Sequence, residues 1–234
     1  MDVRKSLALA INKKALVDQI LQDGSKSVDY LIPHSLGGKD QSAEDYRSVF
    51  KIEGEYDPDR SRRLFQRHYY FGEKKLRLLM ERSSSSQSVG EYLKTQIEDI
   101  LPGLKVEPVY LDRHKLISSL EKGDFDIAFA GWNADFDDPL SFLQVFLSSS
   151  SYNYGQYFDK AYDQFVEKSR SSLLSVRKRW EYYYQAEARL IDGAVIIPLY
   201  QPYNSFVRSA RLKHLAINPL GPLYDLRTIQ VNKK

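Results

Sequence analysis

Apolar residues recur at helical spacing at Val3, Leu7, Ala10 and Ile11, and again at Leu16, Val17 and Ile20. A side of a helix returns every three to four residues, so the chain is expected to open with two helices. Asn12 lies between them and suits the N-cap of the second, which is expected to stop near Gly24. Pro33, Gly37-Gly38 and Gly54 then break any period, and 25–56 reads as irregular. At Asp57-Pro58 a cap precedes a proline at the first helical position, and the helix that follows is expected to run to about Tyr70.

The period then alternates between two and 3.6. A strand over 75–80 is followed by a polar turn at Ser83–Ser86 and a helix over 88–101. Val89, Tyr92, Leu93, Ile97, Ile100 and Leu101 share one face of that helix. A strand over 105–111, a helix over 113–122 and a strand over 125–130 complete a βαβαβ rhythm. Such a rhythm implies a largely parallel sheet with right-handed crossovers. Helices are expected at 139–147, 159–172 and 175–191. Residues 194–200, with Pro198 inside, read as an edge or crossover strand. Short strands at 204–208 and 226–231 have no obvious sheet to join within the βαβαβ unit.

Between the third strand and the helix at 139 lies Gly131-Trp132-Asn133-Ala134-Asp135-Phe136-Asp137-Asp138-Pro139. A strand-to-helix corner is where an α/β layer presents its binding groups. Asp138 directly precedes Pro139 and is expected to cap the helix there. Asp135 lies too early for that role and is the better ligand candidate: a carboxylate held at a strand end can pair with an ammonium group while staying ionised.

Composition changes this picture little. The chain has 234 residues, 42% hydrophobic and 28% charged, room for one or two folded domains. With 34 basic and 31 acidic residues the charges nearly cancel. The basic clusters at 60–67 and 177–179 lie on expected helices with apolar stripes and read as solvated faces, so no nucleic-acid partner is expected. There are no cysteines, which removes disulfides, thiol nucleophiles and Cys-based zinc sites. No apolar run approaches the ~20 residues of a membrane helix, so no membrane insertion is expected. Met1-Asp2-Val3-Arg4-Lys5 leads into a helix pattern without the apolar core of a signal peptide, and no export signal is expected in this chain. Tyrosine is in excess at 17 residues; its ring supplies contact area and its hydroxyl stays wet, as suits a polar groove or the rim of a core.

The chemistry of an enzyme is not legible. His34, His68, His114 and His214 are scattered, without metal-ligand spacing. Nucleophile-elbow, dinucleotide and phosphate-loop motifs are missing. A calcium loop starting at Asp135 would need Gly at its sixth position and Glu at its twelfth, where Leu140 and Phe146 stand. Neither catalysis, a metal nor a cofactor is expected.

Several segments together resemble the C-terminal portion of the oligopeptide- and dipeptide-binding family of extracellular solute-binding proteins, which deliver ligands to ABC importers. They are Val3-Arg4-Lys5-Ser6-Leu7-Ala8-Leu9-Ala10-Ile11-Asn12, the Asp57-Pro58 helix start, Gly123-Asp124-Phe125-Asp126 leading into Gly131-Trp132-Asn133-Ala134-Asp135, Asp138-Pro139-Leu140-Ser141-Phe142-Leu143, and Ile197-Pro198-Leu199-Tyr200. The resemblance implies an α/β fold of the type II periplasmic-binding-protein kind, in which a peptide lies extended between two lobes. It implies that Asp135 salt-bridges the peptide's α-ammonium group and that Trp132, Asn133 and Ala134 line the cleft. Tyr200 and Gln201 fall near the crossover between lobes and are further ligand-binding candidates. Where some members place an arginine shortly before the Trp, this chain has Phe129 and Ala130, so capture of a short peptide's carboxylate there is not implied.

Family members are about twice this long. The resemblance therefore implies one lobe over 1–200 and a tail over 201–234 that returns to the other lobe, with apolar edge surface exposed where that lobe is absent. Its partners would be a peptide, the missing N-terminal lobe and a membrane permease, at a periplasmic or cell-surface location. Two alternatives stand beside it: the ligand-sensing domain of a transcription regulator of the same fold, and a truncated product without independent function.

Overall fold

A computed structural model describes residues 2–34, 36, 45–68, 74–203, 205, 207–217 and 224–232. The glycines at 37 and 38, the expected helix end near residue 70, and residues 204 and 206 of an expected strand lie outside that set. Helix α1 (Asp2–Ala10) is followed by α2 (Lys13–Ala15), which widens into a π-helical stretch over Leu16–Leu21. Asn12 caps α2 as expected, its Oδ1 accepting from the Ala15 N–H at 2.9 Å.

Within the expected irregular stretch the structure places two short elements, β1 (Lys26–Ser27) and α3 (Tyr46–Val49). Neither has the length to produce a period, and α3 is set by a local cap, Asp45 accepting from the Ser48 N–H at 2.7 Å. Helix α4 (Pro58–His68) begins as expected, with Asp57 Oδ1 accepting from the Arg60 N–H at 2.8 Å. It packs on α1, where the buried Ser61 hydroxyl donates to the Ser6 carbonyl at 2.7 Å.

The βαβαβ unit comprises β2 (Lys74–Glu81), α5 (Ser84–Ile100), β3 (Leu104–Leu111), α6 (Arg113–Glu121) and β4 (Ile127–Ala128). The strands are parallel in the order β3-β2-β4, with Leu76 opposite Val106 and Leu78 opposite Ile127. Successive side chains of β2 point to opposite faces. Leu78 and Met80 join a core with Val89, Leu93 and Ile97 of α5, while Leu79 meets Leu116 and Leu120 of α6. Helices therefore cover both faces. The α5 helix starts four residues earlier than its apolar stripe predicts, because Ser83 caps it through the Ser86 N–H at 3.0 Å and the serines form its solvated first turn.

Strand β4 has two paired residues rather than the six expected, since the backbone leaves the sheet after Phe129 donates to the Leu79 carbonyl at 2.8 Å. A second core is helical, built from α7 (Leu140–Leu143), the 3-10 turn Gln144–Phe146, α8 (Lys160–Ser169) and α9 (Val176–Asp192), around Trp180, Tyr183, Tyr162 and Leu190. The expected strand at 194–200 reduces to β5 (Tyr200–Gln201), paired antiparallel with β1.

The tail differs from expectation. Its strands are not without partners in the chain: β6 (Leu212–Lys213) pairs with β9 (Gln230–Val231), and β7 (Ala216–Ile217) with β8 (Tyr224–Asp225), all antiparallel. The described residues of 204–208 carry no strand. Each ladder is two rungs long and separate from the parallel sheet.

Candidate functional site

The first strand of the parallel unit lies in the middle of its sheet, so the two crossovers leave in opposite directions. In such sheets the crevice outside the carboxyl ends at this switch point is the place for ligands. β4 ends there, and the chain continues into the 129–139 corner.

Along that corner exposure alternates. Trp132 and Ala134 are half-buried and pack on the helical core, while Asn133 and Asp135 are exposed. An extended backbone turns successive side chains to opposite sides, so the Trp and Ala anchor the segment while the Asn and Asp share its open face. The Trp132 ring meets Tyr152 edge-on, with centroids 5.1 Å apart. Its indole N–H is buried and has no hydrogen-bond partner among the described residues.

Asp135 is fixed by its backbone. Its N–H donates to the hydroxyl of the fully buried Ser141 at 2.7 Å. Its carboxylate is exposed and forms no hydrogen bond or ion pair with the described residues. Asp138 behaves differently: one oxygen accepts from the Leu140 N–H at 2.9 Å and the other is held by the Arg179 guanidinium. The helix begins at Leu140 with Pro139 at its N-cap position, one residue later than expected. Asp138 therefore stands just before the cap and reaches the first turn through the Leu140 N–H, with Arg179 added. That guanidinium also donates to the Tyr183 hydroxyl at 3.0 Å, a bond that, with the nearby negative charge, holds its proton more firmly. Burial pushes the Tyr183 hydroxyl up to about 12.

Tyr200 and Gln201 sit on β5. The Tyr200 ring lies 6.3 Å from Phe129, beside the exit of β4, and burial raises its hydroxyl pKa. No hydrogen bond or ring contact among the described residues links Tyr200 or Gln201 to 132–135. The structure thus groups Trp132, Asn133, Ala134 and Asp135 on one segment and sets Tyr200 and Gln201 at the neighbouring strand exit. Ser141, Arg179 and Tyr183 were not singled out from sequence. Ser141 follows a visible Asp-Pro signal, but Arg179 is 41 positions from Asp138 and no local pattern joins them.

The family profile described as "Bacterial extracellular solute-binding proteins, family 5 Middle" matches residues 1–154. The chain belongs to this family. A curated relative, the dipeptide-binding protein of Lactococcus lactis subsp. cremoris, is 28% identical over 98% of this chain, which covers 42% of that protein. The substrate-binding domain of an oligopeptide ABC transporter from Bacillus anthracis superimposes with a TM-score of 0.91 at 30% identity, over 99% of this chain and 46% of that one. Listeria monocytogenes OppA bound to peptide gives 0.89 at 26% identity, over 100% of this chain and 45% of that one. The family 5 chain therefore has the α/β fold of the periplasmic peptide-binding proteins and spans less than half the length of these relatives. Among the described residues no helix is long and apolar enough to cross a membrane.

Proposed function

We propose that this chain forms one lobe of the solute-binding component of an ABC importer and that it receives oligopeptides in an extended conformation. Asp135 pairs with the peptide's α-ammonium group. The observation that carries this reading is the Asp135 carboxylate itself: exposed at the switch point, without a partner among the described residues, on a backbone tied to a buried serine. A charge held ready without a counter-ion among those residues suits a cationic ligand group. Asn133 shares the open face, and the accessible edge of Trp132, with Ala134 beside it, walls the corner. Tyr200 and Gln201 line the approach from β5.

In this reading residues 1–200 form the lobe and 201–234 return to a second lobe, which closes the clamp from the opposite side. The ligand is bound and passed to a membrane permease without chemical change, at a periplasmic or cell-surface location.

Calorimetry on the full-length protein tests the site. Asp135→Asn is expected to weaken binding of peptides with a free amino end by about 1.5–3 kcal/mol, the range for a charge-assisted hydrogen bond. N-acetylated peptides are expected to bind the wild type as weakly as free peptides bind the variant. Equal wild-type affinity for free and acetylated peptides would refute the pairing.

A further inference from the structure

We infer that Arg179 is a positioning residue for amine recognition, acting through Asp138 on the corner that carries Asp135. The inference rests on the ammonium reading of Asp135.

The corner needs support from outside the sheet. β4 contributes two rungs, and its last sheet bond is made at Phe129, six residues before Asp135. Beyond that point the fold ties it down by the Asp135 N–H on Ser141, by the Asp138 N–H on the Phe136 carbonyl at 2.8 Å, and by the Asp138 carboxylate. The last tie reaches a different element. Arg179 belongs to α9, whose Trp180 and Tyr183 are buried in the helical core. Its guanidinium binds Asp138 and the Tyr183 hydroxyl with the same nitrogen, so its place is set from the core side. Residues 179, 183 and 187 recur four apart on one face of α9. Arg179 and Tyr183 hold the corner, while Glu187 holds the backbone N–H groups of Leu31 and Ile32 at 2.9 Å each. One polar edge of a core helix therefore clasps the ligand corner together with Leu31, Ile32 and Arg47.

Two effects of losing Arg179 oppose each other, which makes the role measurable. An unneutralised Asp138 three residues from Asp135 would draw an ammonium group more strongly by charge alone. A corner freed from α9 would hold Asp135 less well oriented and bind the amine more weakly. The positioning role requires the second effect to prevail.

The test uses the full-length protein and a mixed-sequence pentapeptide library with free or acetylated amino ends, competed against a fluorescent peptide. Arg179→Ala is expected to weaken free-amine binding about tenfold and to leave acetylated peptides within about twofold, with Arg179→Lys recovering part of the loss. Free-amine binding that is unchanged or tighter overturns the proposal. Equal weakening of both libraries also overturns it, because that is general loss of structure. If Arg179→Ala does not fold, Asp138→Asn and Arg179→Lys carry the same comparison. Asp135→Asn separates the two readings: if it leaves the preference for free amines intact, the ammonium reading fails, whereas a preference lost in Asp135→Asn and kept in Arg179→Ala refutes positioning alone.

Discussion

Arg47 donates through Nη2 to Glu187 Oε1 at 2.5 Å, with 2% of the Arg side chain and none of the Glu side chain open to solvent. Burying two charges is costly unless their polar atoms are hydrogen-bonded. Here each guanidinium nitrogen and each carboxylate oxygen has a partner. Glu187 also accepts from the Leu31 and Ile32 N–H groups and from the Tyr46 hydroxyl at 3.0 Å. Arg47 donates to the Ile32 and Phe50 carbonyls at 3.0 and 2.8 Å and stacks 4.4 Å from the Tyr30 ring. The pair fastens Leu31, Ile32 and α3 to α9.

Removing one partner should therefore be expensive. Glu187→Gln is expected to lower unfolding stability by about 3–5 kcal/mol, because it leaves the Arg47 charge buried without a counter-ion. The double variant Arg47→Met with Glu187→Leu should cost clearly less than the sum of the single changes. Urea unfolding of Glu187→Gln measures the first; the wild type, Arg47→Met, Glu187→Leu and the double variant measure the second, and simple additivity would show that the two charges are not coupled.

This network marks the limit of what was legible in the chain. The βαβαβ unit and the caps at Asn12 and Asp57 follow from local pattern and were read directly. The corner was legible because Asp138-Pro139 announces a helix start and singles out Asp135 by exclusion. Glu187, by contrast, sits in an amphipathic helix where a Glu is ordinarily solvated, and its partners lie 140 or more positions away. Strand lengths failed for a related reason: apolar runs at 125–130 and 194–200 reflect burial against cores, whereas pairing depends on neighbours that sequence does not name. The paired tail strands were missed because two-rung ladders leave no period.

Gly90 offers a test of packing against propensity. A methyl there would stand 2.5 Å from the Tyr110 hydroxyl and 2.8 Å from the Met80 sulfur, where α5 crosses the sheet. Gly90→Ala gains up to about 1 kcal/mol of helix propensity, yet overpacking costs about 1–3 kcal/mol, and Met80 is fully buried. Net destabilisation is expected in thermal unfolding, relieved in part by adding Tyr110→Phe. A more stable Gly90→Ala protein would mean that the contact relaxes freely.

Alkaline pH should weaken the fold before it unfolds it. Burial pushes the hydroxyls of Tyr92, Tyr157 and Tyr183 up to about 12, and Tyr92 donates to the Asn12 carbonyl at 2.7 Å. In the unfolded chain these groups ionise near ~10. Between those values the unfolded state has released protons that the folded state keeps, so stability is full below about pH 10 and falls as pH rises towards 12. Tyrosinate absorbance should show a class of hydroxyls titrating late, and urea midpoints should decline across the same window. Midpoints that stay level through it would contradict the assignment.

The tail gives the sharpest contrast between this chain and the longer protein proposed to contain it. Val207, Leu226 and Val231 are 103%, 63% and 59% exposed, and the β6–β9 and β7–β8 ladders have two rungs each. Isolated two-stranded ladders are marginal in water, so amides at 212–213, 224–225 and 230–231 should exchange in this chain nearly as fast as in an unfolded peptide. A second lobe that covers the tail would bury those side chains. Each is worth about 1.5–3 kcal/mol when fully buried, and two of them suffice to slow local opening about a hundredfold. Hydrogen exchange on the 234-residue chain and on the full-length protein should therefore agree over α5 and α9 and diverge by about that factor at the tail. Equal tail rates in the two would remove residues 201–234 from the second lobe and leave them as a surface appendage of the first.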